Sequence, residues 1–166
     1  MLPVRHEFLK DLLEKAKELM EKDGYIVPAA FVETEDKELL ILDCKQPIEE
    51  GKKDELVKVL KDTAKKTNAT MIVMLMEAWT LQTEKDKCVL DVIEEAEKIG
   101  GIGKHPNAVE NVVMTVETYD GAWLAVAPIY EKDGKRTFNI PNLTSSVKSE
   151  GRFFNLLPAP SGEKLN

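Results

Sequence analysis

Two Asp-Gly dipeptides decide most of the second half of this chain. Asp120-Gly121 separates residues 111–119 from 122–130, and Asp133-Gly134 separates 130–132 from 135–137. Asp-Gly suits a two-residue hairpin turn, because both central positions need positive φ. Two such turns in succession dictate an antiparallel meander of three strands. In that register Glu131 faces Arg136 as an ion pair, and Ile129 faces Phe138 as a core pair.

The first half alternates helix and strand. Phe8, Leu9, Leu12, Leu13, Ala16, Leu19 and Met20 recur at helical spacing, and Asp23-Gly24 stops the helix they make. It is expected to bury Phe8, Leu12, Leu13 and Leu19. Residues 25–33 read as a strand, 35–37 as its turn, and 39–44 as a partner. That partner is apolar except at Asp43, as in a sheet interior. Residues 45–51 form a loop and 52–67 a second helix. Residues 71–78 are the most hydrophobic segment and fit a central strand, and 88–99 follow helical spacing. Hairpins dominate, so the fold class is α+β: a mostly antiparallel sheet of about six strands, a hairpin plus a C-terminal meander, packed with two or three helices. At 166 residues one domain suffices. It is placed at 1–157, with 158–166 as a flexible tail.

The charge balance removes some functions. Lys and Arg number 23 against 30 for Asp and Glu, a net charge of -7. No basic face for phosphates follows from that, so no nucleic-acid partner is expected. The N-terminus lacks an apolar signal core, and the apolar run 71–76 is too short to span a bilayer. A soluble cytoplasmic protein with no membrane partner is the expectation. Cys44 and Cys88 belong to no CxxC and read as small buried hydrophobes. No cofactor and no metal are expected.

Four residues are candidates for a ligand site: Glu77, Trp79, His105 and Glu110. Glu77 ends a hydrophobic strand, where a desolvated carboxylate suits acid–base work. It equally suits a partner lysine. His105 and Glu110 would complete a His-plus-two-carboxylate set, although the spacing matches no metal motif. Gly100-Gly101-Ile102-Gly103-Lys104 lacks the spacing of a phosphate loop.

Asp43-Cys44-Lys45 is similar to the acid-x-Lys strand of the PD-(D/E)xK nucleases. That likeness implies a metal-binding Asp43 and a water-positioning Lys45. The turn sets Asp43 near Pro28, where the neighbouring residues hold no second acid, so at most a degenerate nuclease fold is implied. The order helix–hairpin–helix–three strands resembles roadblock or profilin-like domains. The stretches VMLMEAWT (73–80) and HPNAVENVVMTVETYDG (105–121) resemble bacterial and phage proteins with no assigned activity.

The functional expectation is a non-enzymatic interaction or accessory protein, with a homo-oligomer or protein partner. The alternative is an enzyme or small-ligand or metal-binding domain using Glu77, His105 and Glu110. Residues 122–129 are apolar on both faces, so the sheet needs cover on both sides. The helices near 8–20 and 52–67 are placed on one face. The other needs the third helix, Phe153-Phe154 or a second copy. Phe153, Phe154, Leu156 and Leu157 either plug the chain's own core or dock on a neighbour.

Overall fold

The computed structural model describes residues 6–81, 94, 98–101, 104, 106, 108–146 and 156–158. The order is α1 (His6–Asp23), β1 (Ala29–Glu33), β2 (Leu39–Asp43), α2 (Lys45–Glu49), α3 (Lys53–Thr67), β3 (Met71–Leu81), β4 (Ala108–Thr118), β5 (Gly121–Pro128), β6 (Tyr130–Lys132), β7 (Lys135–Thr137) and β8 (Thr144–Ser146). Among the described residues six strands form one sheet in the order β2-β1-β3-β4-β5-β8, and β6-β7 is a separate ribbon. Every pairing is antiparallel. This is the α+β architecture that the hairpin pattern implies.

β3 organises the fold. It pairs with β1 on one side and β4 on the other, and residues 71–76 are all buried. Side chains alternate between faces along a strand. Met71, Val73 and Leu75 enter one core with Leu9, Leu13 and Met20 of α1. Ile72, Met74 and Met76 enter another with Leu56, Leu60 and Ala64 of α3. The two long helices therefore lie on opposite faces, not on one face as expected. An apolar stripe shows that a helix packs on a sheet, but not on which side.

Other expectations also shift. α1 buries Leu9, Leu13, Ala16 and Met20; Leu19 is exposed, and Phe8 and Leu12 are half-buried. The region 45–51 contains the short helix α2. β2 is an edge strand and not an interior one, with Leu39 39% and Ile41 66% exposed. The sixth strand is β8 in the polar stretch after Pro141, because the ribbon residues leave the main sheet. In β5, Trp123, Ala125 and Ala127 are buried on the face of α1, whereas on the other face Val126 is exposed. The segment 88–99, of which Glu94, Lys98 and Ile99 are described, otherwise lies outside the described residues, as do Phe153 and Phe154.

Both Asp-Gly turns form hairpins, by different means. Asp133 (φ 53°) and Gly134 (φ 78°) are both left-handed, as a mirror-image turn requires. At the other, Thr118 pairs with Gly121, so Tyr119 and Asp120 make the turn. That register differs by two residues from the expected one. A slip of two preserves the face of every side chain, whereas a slip of one would invert them all.

Two buried groups tie the second core together. Glu117 is almost fully buried and accepts a hydrogen bond from the backbone of Leu156 at 2.7 Å. Leu156 in turn packs in the core under α3. Cys44 is fully buried. Burial first, and the charge of Asp43 second, push its thiol up to about 11.

Two predictions follow from this packing. Leu156→Ala should cost about 2–5 kcal/mol in urea-unfolding free energy, the range for truncating a fully buried leucine; an unchanged midpoint would show that Leu156 is not part of the core. The Cys44 thiol ionises later in the folded chain than in the unfolded one. Its stabilisation is therefore complete below its ordinary value of 9 and is lost as pH rises toward about 11. The urea midpoint should fall over that interval more steeply than in Cys44→Ala.

Candidate functional site

β3 emerges from the core at Glu77. Across the β3–β4 ladder Glu77 faces Val112 and Trp79 faces Glu110. Opposed residues of an antiparallel pair share a face, so Glu77, Trp79 and Glu110 project from one side of the sheet. Glu77 and Glu110 are diagonal neighbours, a spacing that long side chains can bridge.

Arg136 bridges them. Its Nη2 donates to Glu77 Oε1 at 2.8 Å and to Glu110 Oε1, and its Nη1 donates to the Gly24 carbonyl at 2.5 Å. Glu77 Oε2 accepts the backbone N–H of Ile26 at 2.7 Å. The side chains of Arg136, Glu77 and Glu110 are 28%, 19% and 28% exposed. Pairs shielded to this degree are screened less than surface pairs. Two carboxylates so close would repel, and the planar guanidinium satisfies both at once.

The ribbon delivers Arg136 to this position. Its tight turn reverses the chain, Thr137 Oγ1 donates to Glu21 Oε2 at 2.7 Å, and Phe138 enters the core beneath α1. Arg136 stands opposite Glu131 in the ribbon, as expected. Its guanidinium nevertheless pairs with Glu77 and Glu110, and Glu131 is exposed. The cluster thus joins the end of α1, the loop before β1, the ribbon and two central strands. Both oxygens of Glu77 are engaged, so the arrangement positions these segments rather than presenting a free acid or base.

Of the four candidate residues, Glu77 and Glu110 are brought together, and Trp79 shares their face with 49% exposure. His105 lies outside the described residues. Arg136 was missed as their partner, since only the turn at 133–134 hinted that the ribbon folds back, not where it lands. Asp43 faces Ala29, one residue from the expected Pro28. Its Oδ1 accepts the backbone N–H of Lys45 at 2.9 Å, which begins α2 and is not on the strand. The Lys45 ammonium lies 5.8 Å from the ring centre of Tyr25. Among the described residues no group of three or more His, Cys, Asp or Glu could hold a metal.

A groove of about 310 Å³ adjoins the Arg136 cluster. Leu12, Ala16 and Leu19 form its helical wall, Phe31 and Leu75 its floor, and Tyr25 to Val27 its far side. Ile41 stands directly across from Phe31 on the next strand, so it shares the face of the sheet that carries the groove. Leu19, Tyr25, Val27, Leu39 and Ile41 are all exposed. Of these, Leu19, Tyr25 and Val27 line the groove, and Leu39 and Ile41 lie on the edge strand.

The family model described as bacteriophage lambda protein ea47 matches residues 3–142. The chain belongs to that family. The stretches 73–80 and 105–121, which resemble phage proteins, fall within the matched span. No curated protein and no solved structure matches, so the roadblock or profilin likeness rests on element order alone. No described helix is long and apolar enough to cross a membrane.

Arg136→Ala should lower the unfolding free energy by about 1.5–3 kcal/mol, the scale of hydrogen bonds to charged groups. Arg136→Lys should recover only part of it, because an ammonium cannot make the same planar fork. Replacing all three at once (Arg136→Met, Glu77→Gln, Glu110→Gln) should be milder than Arg136→Ala, since no carboxylate is left unpaired. Equal losses in all three proteins would contradict a bridging role for Arg136.

Proposed function

We propose that this protein works by binding rather than by catalysis, as an interaction or accessory protein that associates with itself. The observation that carries this reading is the set of exposed apolar side chains on the α1 face: Leu19, Tyr25 and Val27 on the groove between α1 and β1, and Leu39 and Ile41 on the edge strand β2 beside β1. Burying such side chains is favourable by about 25 cal/mol per Å² of apolar area removed from water. The competing reading, a ligand or catalytic centre at Glu77 and Glu110, is weakened by their engagement with Arg136 and the Ile26 backbone. The family is named for a phage protein and its name specifies no reaction. The surface is framed by charge, with Lys15 and Asp23 on the rim of the groove. Such a polar frame around an apolar centre is usual for protein contacts.

Light scattering at micromolar concentration should give a mass well above 18.6 kDa. Leu39→Glu, which sets a charge among the exposed apolar side chains, should shift the mass toward that of one chain while leaving the melting temperature nearly unchanged. A parent protein that scatters as a single chain throughout would overturn the proposal.

A further inference from the structure

We infer that two copies of this chain join edge to edge through β2, making one continuous antiparallel sheet. The inference rests on the self-association proposed above and specifies its contact. Among the described residues β2 ends the main sheet. On its inner side Thr34 N–H donates to Glu38 O at 2.9 Å and Cys44 N–H to Pro28 O at 2.8 Å. Hydrogen-bonded pairs alternate along an antiparallel ladder. The even-numbered residues of β2 therefore bond to β1, and the backbone groups of Leu39, Ile41 and Asp43 point to the outer edge.

A twofold interface presents the same patch from both copies, so residue i meets j and j meets i. Edge pairing of β2 with itself must then be antiparallel, and the outward groups restrict the registers. Centring the axis on Leu40 sets Leu39 against Ile41 of the second copy, a pair that occurs twice, and brings Lys37, in the hairpin turn just outside the strand (φ 67°), toward its Asp43. Apolar meets apolar and cation meets anion. Centring it on Ile41 would set Leu39 against Asp43. Centring it on Leu39 would set Lys37 against Ile41. Only the first register sets apolar against apolar for both Leu39 and Ile41, with the turn cation Lys37 on the side of the second copy's Asp43.

The side chains support the same contact. Ile41 is 66% exposed and Leu39 39%, and both stand on the face that carries the groove. Leu40 and Leu42 on the opposite face pack only partly against the second core. Pairing across the edge would extend both layers. Exposed strand edges are commonly blunted by an inward charge, a proline or a bulge. β2 has the sequence LLILD over Leu39–Asp43, with charge only at its end.

The test uses the full chain in sedimentation equilibrium. The parent should form a species of twice 18.6 kDa, and Ile41→Lys should raise its dissociation constant at least about tenfold, the equivalent of about 1.4 kcal/mol. Lys37→Asp and Asp43→Lys should each dissociate alone, because like charges then face each other. Mixed together they should form heterodimers, because opposite charges are restored at both positions. Circular dichroism melts of each variant show that the fold persists. A dimer insensitive to Ile41→Lys, or charge variants that fail to associate on mixing, would overturn the β2 contact while self-association stands. A parent that is monomeric at every concentration would overturn both.

Discussion

The central strand β3 carries six consecutive buried residues, and they alternate between two cores. A strand of this kind cannot lie on an open sheet. Each face removes three large side chains from water, so each needs its own layer of cover. α1 supplies one and α3 the other. The rest of the architecture follows from that demand. The hairpin β1-β2 arrives between the two helices and pairs on one side of β3; β4 and β5 pair on the other. Glu117 lies in the same layer as Ile72, its direct partner across the ladder. Its carboxylate is tolerated there because the backbone of Leu156 donates to it as that leucine fills the core.

The polar end of β3 obeys a different logic. At Glu77 the strand has left the core, but it still lies beneath the ribbon and the loop after α1. Three polar chains meet there with less than a third of their surface in solvent. A single arginine resolves the repulsion of two carboxylates and also caps the Gly24 carbonyl at the end of α1. One side chain thereby fixes the position of a ribbon that is only three residues long on each side. A hairpin that short has little stability of its own. The depth of Phe138, the contact of Thr137 with Glu21 and the pairing of Arg136 with Glu77 and Glu110 all hold its second strand.

Much of this was legible in the sequence, and the failures have physical causes. The hairpins were readable because Asp-Gly is a local signal whose meaning does not depend on distant residues. The helices were readable from periodicity, down to the stop at Gly24, whose N–H bonds back to Met20 O at 2.8 Å. Periodicity gives an apolar face but not the side of the sheet it meets, which is why α1 and α3 were placed together. The short strand β8 has no pattern of its own; it exists because β5 offers it an edge. Glu77 and Glu110 were singled out by their settings in the chain, and the structure does unite them. Arg136 closes that cluster from 59 residues away in the case of Glu77, and no local signal encodes such a contact.

The misplacement of β2 is the most instructive of these. Residues 39–43 carry the composition of an interior strand, apolar on both faces, yet in a single chain they stand at an edge. The chain's own core explains Leu40 and Leu42, which meet the layer under α3. It does not explain Leu39 and Ile41, whose side chains lie beyond the cover of α1. An edge strand that met only water would gain nothing from an isoleucine at its centre, where a lysine would guard against unwanted pairing. In the proposed pair β2 has a neighbour on both sides, Leu39 and Ile41 have apolar partners that set the register, and Lys37 in the turn lies on the side of the second copy's Asp43. The interior character read from the sequence then belongs to a sheet made by two chains instead of one.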